Sequence, residues 1–160
     1  FVSIHLCPPM STREDTNIFA ELRRGVVSGS EAETRALARK LALALPPDRT
    51  LALSGDLGAG KTAFVRGLVE AWRTTDRVTS PSFTLCNHYR GDRTVLHLDA
   101  YRLDSPDAWD DLMLDDFLVS PWCMVVEWAE NVSTRLPADT LWLSIEIRDS
   151  ETRVIRELSR

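Results

Sequence analysis

Two rhythms of hydrophobic and polar residues run along this chain, and each change of rhythm marks an element. After the short run Gly25-Val26-Val27, Leu37, Leu41 and Leu45 recur at every fourth position. Ser30 and Glu33 precede them at capping-box spacing, and Pro46-Pro47 follows, so the spacing predicts a helix that stops at the prolines. Thr50 to Ser54 is a brief apolar run ending at glycine, as in a buried strand, and Phe64, Leu68 and Trp72 then mark one face of a second helix that begins at Lys61. Residues 83–89 (FTLCNHY) and 94–99 (TVLHLD) read as strands around the polar turn Arg90-Gly91-Asp92-Arg93, and residues 105–118 as an acidic helical excursion. WCMVVE (122–127) is a further buried strand. Leu141, Leu143, Ile145 and Ile147 alternate with Trp142, Ser144 and Glu146, the pattern of a half-exposed strand near the sheet edge. Strands alternating with helices predict a three-layer α/β domain with a central, mostly parallel sheet and an antiparallel edge.

At 160 residues the chain is the size of one domain, divided here into a ragged, flexible extension (1–24) and a folded domain (25–160). A net charge of -5 excludes a protein that grips nucleic acid through its own broad basic face. Cys7, Cys86 and Cys123 form no CxxC, and His5, His88 and His97 form no HExxH, which points to a reduced, cytoplasmic chain without a zinc site. No apolar run approaches the roughly 20 residues that span a bilayer. Arginine supplies nearly all the positive charge, the only lysines being Lys40 and Lys61.

Lys61 falls in the most informative stretch. Gly55-Asp56-Leu57-Gly58-Ala59-Gly60-Lys61-Thr62 matches G-x-x-x-x-G-K-[ST], the P-loop, placed after a strand and opening a helix. Glycines allow the turn that brings successive N–H groups round a polyphosphate, and the helix start adds its positive dipole. In such a loop the lysine reaches the β and γ phosphates and the threonine hydroxyl ligates Mg²⁺. The competing reading is a glycine turn that only joins strand to helix, and the lysine, threonine and flanks together weigh against it. The domain is therefore expected to be a P-loop NTPase.

Hydrolysis or transfer also needs carboxylates. Asp99 ends the strand Val95 to Leu98 and Glu127 ends Met124 to Val126, and carboxyl ends of parallel strands lie on the same edge as the phosphate loop. One can serve Mg²⁺ while the other orients water. A lone acid there is commonly a solvated strand end; two in a P-loop domain favour function. Thr79-Ser80-Pro81-Ser82-Phe83-Thr84 is either an ordinary loop entering a strand or a segment that senses the γ-phosphate. Asp104, Asp107, Asp110, Asp111, Asp115 and Asp116 are interrupted by no basic residue. They read as a solvated face, and an acidic insertion is the opposite of the arginine-bearing lid a small-molecule kinase closes over its donor. Trp109 and Trp122 read as core or partner surface.

Taken in order, GDLGAGKTAFVRG, VTSPSFTLCNHY, HLDAYRL and VVEWAE followed by Leu136-Pro137 resemble the bacterial TsaE (YjeE) ATPases, over about Val26 to Arg156. The resemblance implies a small Mg²⁺-dependent ATPase that works with TsaB and TsaD in forming N6-threonylcarbamoyladenosine in tRNA, beside the anticodon. It touches tRNA only through that complex, and its hydrolysis supports turnover rather than the transfer itself. Carried over by motif, Gly55, Asp56, Leu57, Gly58, Ala59, Gly60, Lys61 and Thr62 cradle the phosphates of ATP. Thr62 and Glu127 hold Mg²⁺, and Asp99 positions water as the catalytic acid, with Lys61 also catalytic. Trp128 has a structural or partner-facing place. On the adenine side the resemblance points to Val27 and Thr34, in the segment leading into the first helix, and to Arg153. The chain departs from the family pattern at Ala63, where a second threonine is usual, at His88, where glutamate is common, and at Met113, where a glycine often breaks the acidic region. Two other readings of the phosphate loop stay open: a P-loop kinase for a small hydroxyl substrate, and a nucleotide-dependent scaffold that does not hydrolyse.

Overall fold

Helix starts and stops follow local chemistry. In the computed structural model, which describes residues 15–103 and 105–159, Ser30 caps α2 (Glu31–Ala44). Its Oγ accepts from Glu33 N at 3.1 Å, while Glu33 Oε2 accepts from Gly29 N at 2.7 Å, a capping box whose return bond lands one residue early. Leu45 leaves the helical region ahead of Pro46-Pro47, where φ is fixed and two backbone donors are missing. α3 (Lys61–Ala71) begins differently: its cap is Gly60 at φ 107°, with no side-chain hydrogen bond, so the N–H groups of its first turn stay open to a ligand.

Among the described residues seven strands form one sheet: β1 (Val26–Ser28), β2 (Arg49–Ser54), β3 (Cys86–Arg90), β4 (Thr94–Asp99), β5 (Trp122–Glu127), β6 (Leu141–Ile147) and β7 (Arg153–Glu157). Their order is β1-β7-β6-β2-β5-β4-β3. The centre, β6-β2-β5-β4, is parallel, and both flanks are antiparallel. The mixed α/β architecture is thus the expected one, with antiparallel pairing at two edges rather than one. The two sheet faces carry separate apolar cores. Leu51, Leu53, Val95, Val125 and Ile145 pack under α2 and α3, while Leu96, Leu98, Met124, Val126 and Trp142 face the other way. That second face is covered by short pieces, α4 (Pro106–Asp110) and 3₁₀ turns at 114–117 and 129–135.

Four expectations change. Residues 15–24, assigned to the extension, form helix α1 (Asp15–Arg24), whose Ile18 and Leu22 are fully buried against α2 and β7. The domain therefore starts before residue 25, because two apolar side chains a helical turn apart cover the β7 flank that the sheet leaves open. The acidic excursion is not one helix. α4 ends at Asp110, and Met113, at φ 46°, turns the chain into a separate 3₁₀ segment. β3 starts at Cys86, since Pro81–Phe83 is itself a 3₁₀ turn. β6 lies well inside the sheet, with Trp142 and Ser144 both buried, because β7, a strand the sequence reading did not assign, and β1 are added beyond it. Asp104 of the acidic run, Cys7 and His5 lie outside the described residues.

Candidate nucleotide site

The loop joining β2 to α3 is shaped by three glycines at positive φ: Gly55 at 145°, Gly58 at 78° and Gly60 at 107°. Gly55 is also sterically required, since a Cβ there would sit 2.3 Å from the carbonyl oxygen of Ile145 on β6. The other two border open space. A chain that turns this way into an uncapped helix start forms an anion cradle with room above it.

Lys61 is buried to 5 % exposure at the mouth of this cradle. Its Nζ donates to the carbonyl oxygens of Gly55 (2.6 Å) and Asp56 (3.0 Å) and lies 4.8 Å from the centroid of the Trp128 ring. Burial lowers its pKa from the usual lysine value, while Glu127, Asp99, Asp56 and Glu130 pull it back up. A cation partly stripped of water and bonded only to neutral carbonyls has the chemistry to take a stronger anion.

The acids come from neighbouring parallel strands. β4 and β5 are in register so that Asp99 lies beside Glu127, and each is 5 % exposed. Asp99 Oδ1 accepts from Tyr101 N at 3.0 Å, and Glu127 Oε1 is 2.8 Å from His97 Nε2. Glu127 lines a cavity of about 270 Å³ with Lys61, Thr62, Ser80, Ser82 and Trp128. Asp99 lines a neighbouring cavity of about 430 Å³ with Tyr101 and Arg102, and Leu57, Ser82 and Trp128 belong to both. The loop of Thr79 to Thr84 thus reaches the site: Ser80 and Ser82 line its wall with their hydroxyls 2.7 Å apart, and Arg102 Nη1 donates to Ser82 O at 2.7 Å.

The residues singled out for the base are split. Thr34 lies inside α2, buried, its hydroxyl 2.7 Å from that of Ser28. Arg153 opens β7 and its Nε donates to Ala59 O at 3.2 Å, which ties the C-terminal hairpin to the phosphate loop. Both border a cavity of about 170 Å³ that also touches Ser30, Gly58, Ala59 and Gly60. Val27, half-exposed on β1 beside Val154, is not among its lining residues. Sequence reasoning missed the wall of the site. The resemblance gives Trp128 a structural or partner-facing place rather than one in this wall, and Tyr101 and Arg102 are not singled out, although all three stand within three positions of a motif acid. Trp128 holds its backbone at φ 56°, rare for a bulky residue, with its ring 5.1 Å from that of Tyr101 and over Lys61.

An anion cradle, a buried lysine, a hydroxyl at the helix start and two strand-end acids suit a polyphosphate carrying a divalent cation. Residues 28–156 match the family model of "Threonylcarbamoyl adenosine biosynthesis protein TsaE". The chain belongs to the TsaE family. Among its relatives is the tRNA threonylcarbamoyladenosine biosynthesis protein TsaE of Bacillus subtilis, 37% identical over 124 residues, which is 77% of each chain. TsaE of Streptomyces coelicolor is 43% identical over 70% of this chain and 78% of its own, and TsaE of Aquifex aeolicus 36% identical over 85% and 96%. The crystal structure of Bacillus subtilis YdiB superposes with a TM-score of 0.69 at 32% identity, covering 82% of this chain and 81% of that one. TsaE membership carries the mixed α/β fold and a place in threonylcarbamoyladenosine biosynthesis. Among the described residues no helix is long and apolar enough to cross a membrane.

Proposed function

We propose that this TsaE chain is a Mg²⁺-dependent ATPase acting with TsaB and TsaD in the cytoplasm to form threonylcarbamoyladenosine at tRNA position 37, next to the anticodon. The observation that carries this reading is the register that sets Asp99 beside Glu127 at the P-loop edge of the sheet, close enough for both to act on the charge of Lys61. Gly55 to Thr62 bind the phosphates, and Lys61 exchanges its two loop carbonyls for phosphate oxygens. Thr62 and Glu127 hold the cation. Bound there, Mg²⁺ neutralises charge that develops on the transferred phosphoryl group. Asp99, held by the Tyr101 amide in the adjoining cavity, orients the attacking water. Thr34 and Arg153 contact the adenine side, and Val27, outside the lining of their cavity, is left without that role.

Ala63 follows Thr62 and adds no second hydroxyl, so the cation relies on Thr62 alone from this helix. Hydrolysis supports turnover of the TsaB–TsaD transferase rather than the transfer, and tRNA is met only through that assembly, in keeping with the acidic chain. A kinase reading lacks support: the segment after β4 carries Asp107, Asp110, Asp111, Asp115 and Asp116, and its neighbouring Arg135 is bonded to Asp107 and Asp110. The deciding experiment is phosphate release from ATP by the purified protein, alone and with TsaB and TsaD, for wild type and Asp99→Ala. We expect release to rise with the partners and the substitution to lower it by about 10²-fold or more. Partner-independent hydrolysis removes the coupling, full activity in Asp99→Ala removes Asp99 from the chemistry, and nucleotide binding without hydrolysis in the full assembly leaves a scaffold.

A further inference from the structure

His97 is the one fully buried histidine among the described residues, and the site as proposed does not use it. It stands on β4 two residues before Asp99, so both side chains leave the same face of the strand. That face belongs to the core of Val95, Val125 and Cys123 beneath α3, and Val125 is the cross-strand neighbour of His97. Burying an imidazole in such surroundings is unfavourable unless its polar atoms are bonded. Only one is. Nε2 lies 2.8 Å from Glu127 Oε1, and Nδ1 has no partner. An ionised carboxylate can only accept, so Nε2 is the donor of this pair.

From this geometry we infer that His97 is a positioning residue: its Nε2–H fixes Oε1 of Glu127 and so presents Oε2 to the cation. The inference rests on the reading of Glu127 as a ligand of the nucleotide-bound cation. Glu127 ends its strand, and the next residue, Trp128, turns into the left-handed region. Its carboxylate is thus held from behind by the sheet core while its front borders the cavity of Lys61 and Thr62. A glutamate with free side-chain torsions would lose that freedom each time a cation bound, whereas one already held by a buried donor does not. Lys61, whose charge Glu127 acts on, is engaged by the loop carbonyls and is the phosphate partner, which leaves His97 as the group that orients the acid.

The test uses Mn²⁺ as the paramagnetic probe with a non-hydrolysable ATP analogue, in wild type, His97→Leu, His97→Gln and Glu127→Gln, beside binding of the same analogue in EDTA. In His97→Leu we expect Mn²⁺ affinity in the nucleotide complex to fall about 10- to 100-fold with metal-free binding unchanged. His97→Gln, whose amide nitrogen can take the place of Nε2, restores most of it. Weakened binding in Glu127→Gln but wild-type affinity in His97→Leu overturns the positioning role and leaves the metal assignment standing. Wild-type affinity in both removes the metal assignment, and the inference with it. Should His97→Leu fail to fold, the ¹⁵N-edited imidazole spectrum of the wild type decides: an Nε2–H tautomer is required, and an Nδ1–H tautomer overturns the inference.

Discussion

Met113 and Trp128 both hold their backbones in the left-handed region, at φ 46° and 56°, but in different surroundings. Trp128 is partly buried, its ring tilted against that of Tyr101 and beside the Lys61 ammonium, so the strain is borne by a packed wall of the nucleotide site. Met113 is 67% exposed and only turns the chain from α4 into the next 3₁₀ segment. Nothing there compensates a side chain that glycine lacks. Met113→Gly is accordingly expected to raise stability by roughly 0.5–1 kcal/mol, the relief of left-handed strain less the greater entropy of glycine in the unfolded chain. Urea denaturation reads this directly, and a loss of stability would show that the methionine side chain carries packing of its own. The residue scale also shows what a motif conceals: Lys61 is recognisable in the sequence, yet its lowered pKa and its seat over Trp128 depend on burial and on an aromatic ring 67 positions away in the chain.

At the scale of elements, the contact between α2 and α3 sets the position of the phosphate loop. Gly67 in the middle of α3 lies so close to α2 that an added Cβ would be 2.3 Å from Arg35 O and 2.7 Å from Ala38 Cβ. Helix propensity alone argues that Gly67→Ala stabilises, by about 1 kcal/mol. The clash is with backbone and cannot be relieved without parting the helices, so we expect a net loss of about 1–3 kcal/mol in a denaturant titration. Since Lys61 and Thr62 form the first turn of the displaced helix, nucleotide affinity should fall as well. Retained affinity with lowered stability would mean that α3 pivots about its N-terminus and keeps the cradle intact. Salt bridges from Arg35 and Arg39 to Glu70 and from Arg66 to Glu31 span the same two helices, but they are partly exposed and contribute little next to the glycine contact.

For the whole molecule, the decisive surface is the flank at β7, where α1 closes the core. Ile18 and Leu22 have no exposed surface, and α1 packs on both α2 and β7. Burial of two such side chains is worth about 3–6 kcal/mol, a large part of the stability of a domain this size. A chain of residues 25–160 should therefore melt well below one of residues 15–160 and lose Arg153 from the loop at Ala59, because β7 carries that arginine. Equal melting temperatures would return α1 to the status of an appendage. Ile18 and Leu22 stand one helical turn apart in the sequence, and this signal was legible. What it could not reveal was a partner, since β7 itself becomes a strand by pairing with β6 and β1.

The sequence by itself determined the phosphate loop, the two flanking elements, the capping of α2, and Asp99 and Glu127 as strand-end acids. Each of these depends on residues within a few positions of one another, where glycine torsions, helix periodicity and strand alternation act directly on the chain. Only the tertiary structure decided that β6 lies inside the sheet, that Trp128 covers Lys61, that the hydroxyl loop and Arg102 form the cavity wall, and that His97 holds Glu127. These arise from registers and contacts between segments far apart in the chain, such as β4 beside β5 with Asp99 opposite Glu127. Cross-strand register is settled by what the whole core can bury at once, and no local pattern encodes that sum.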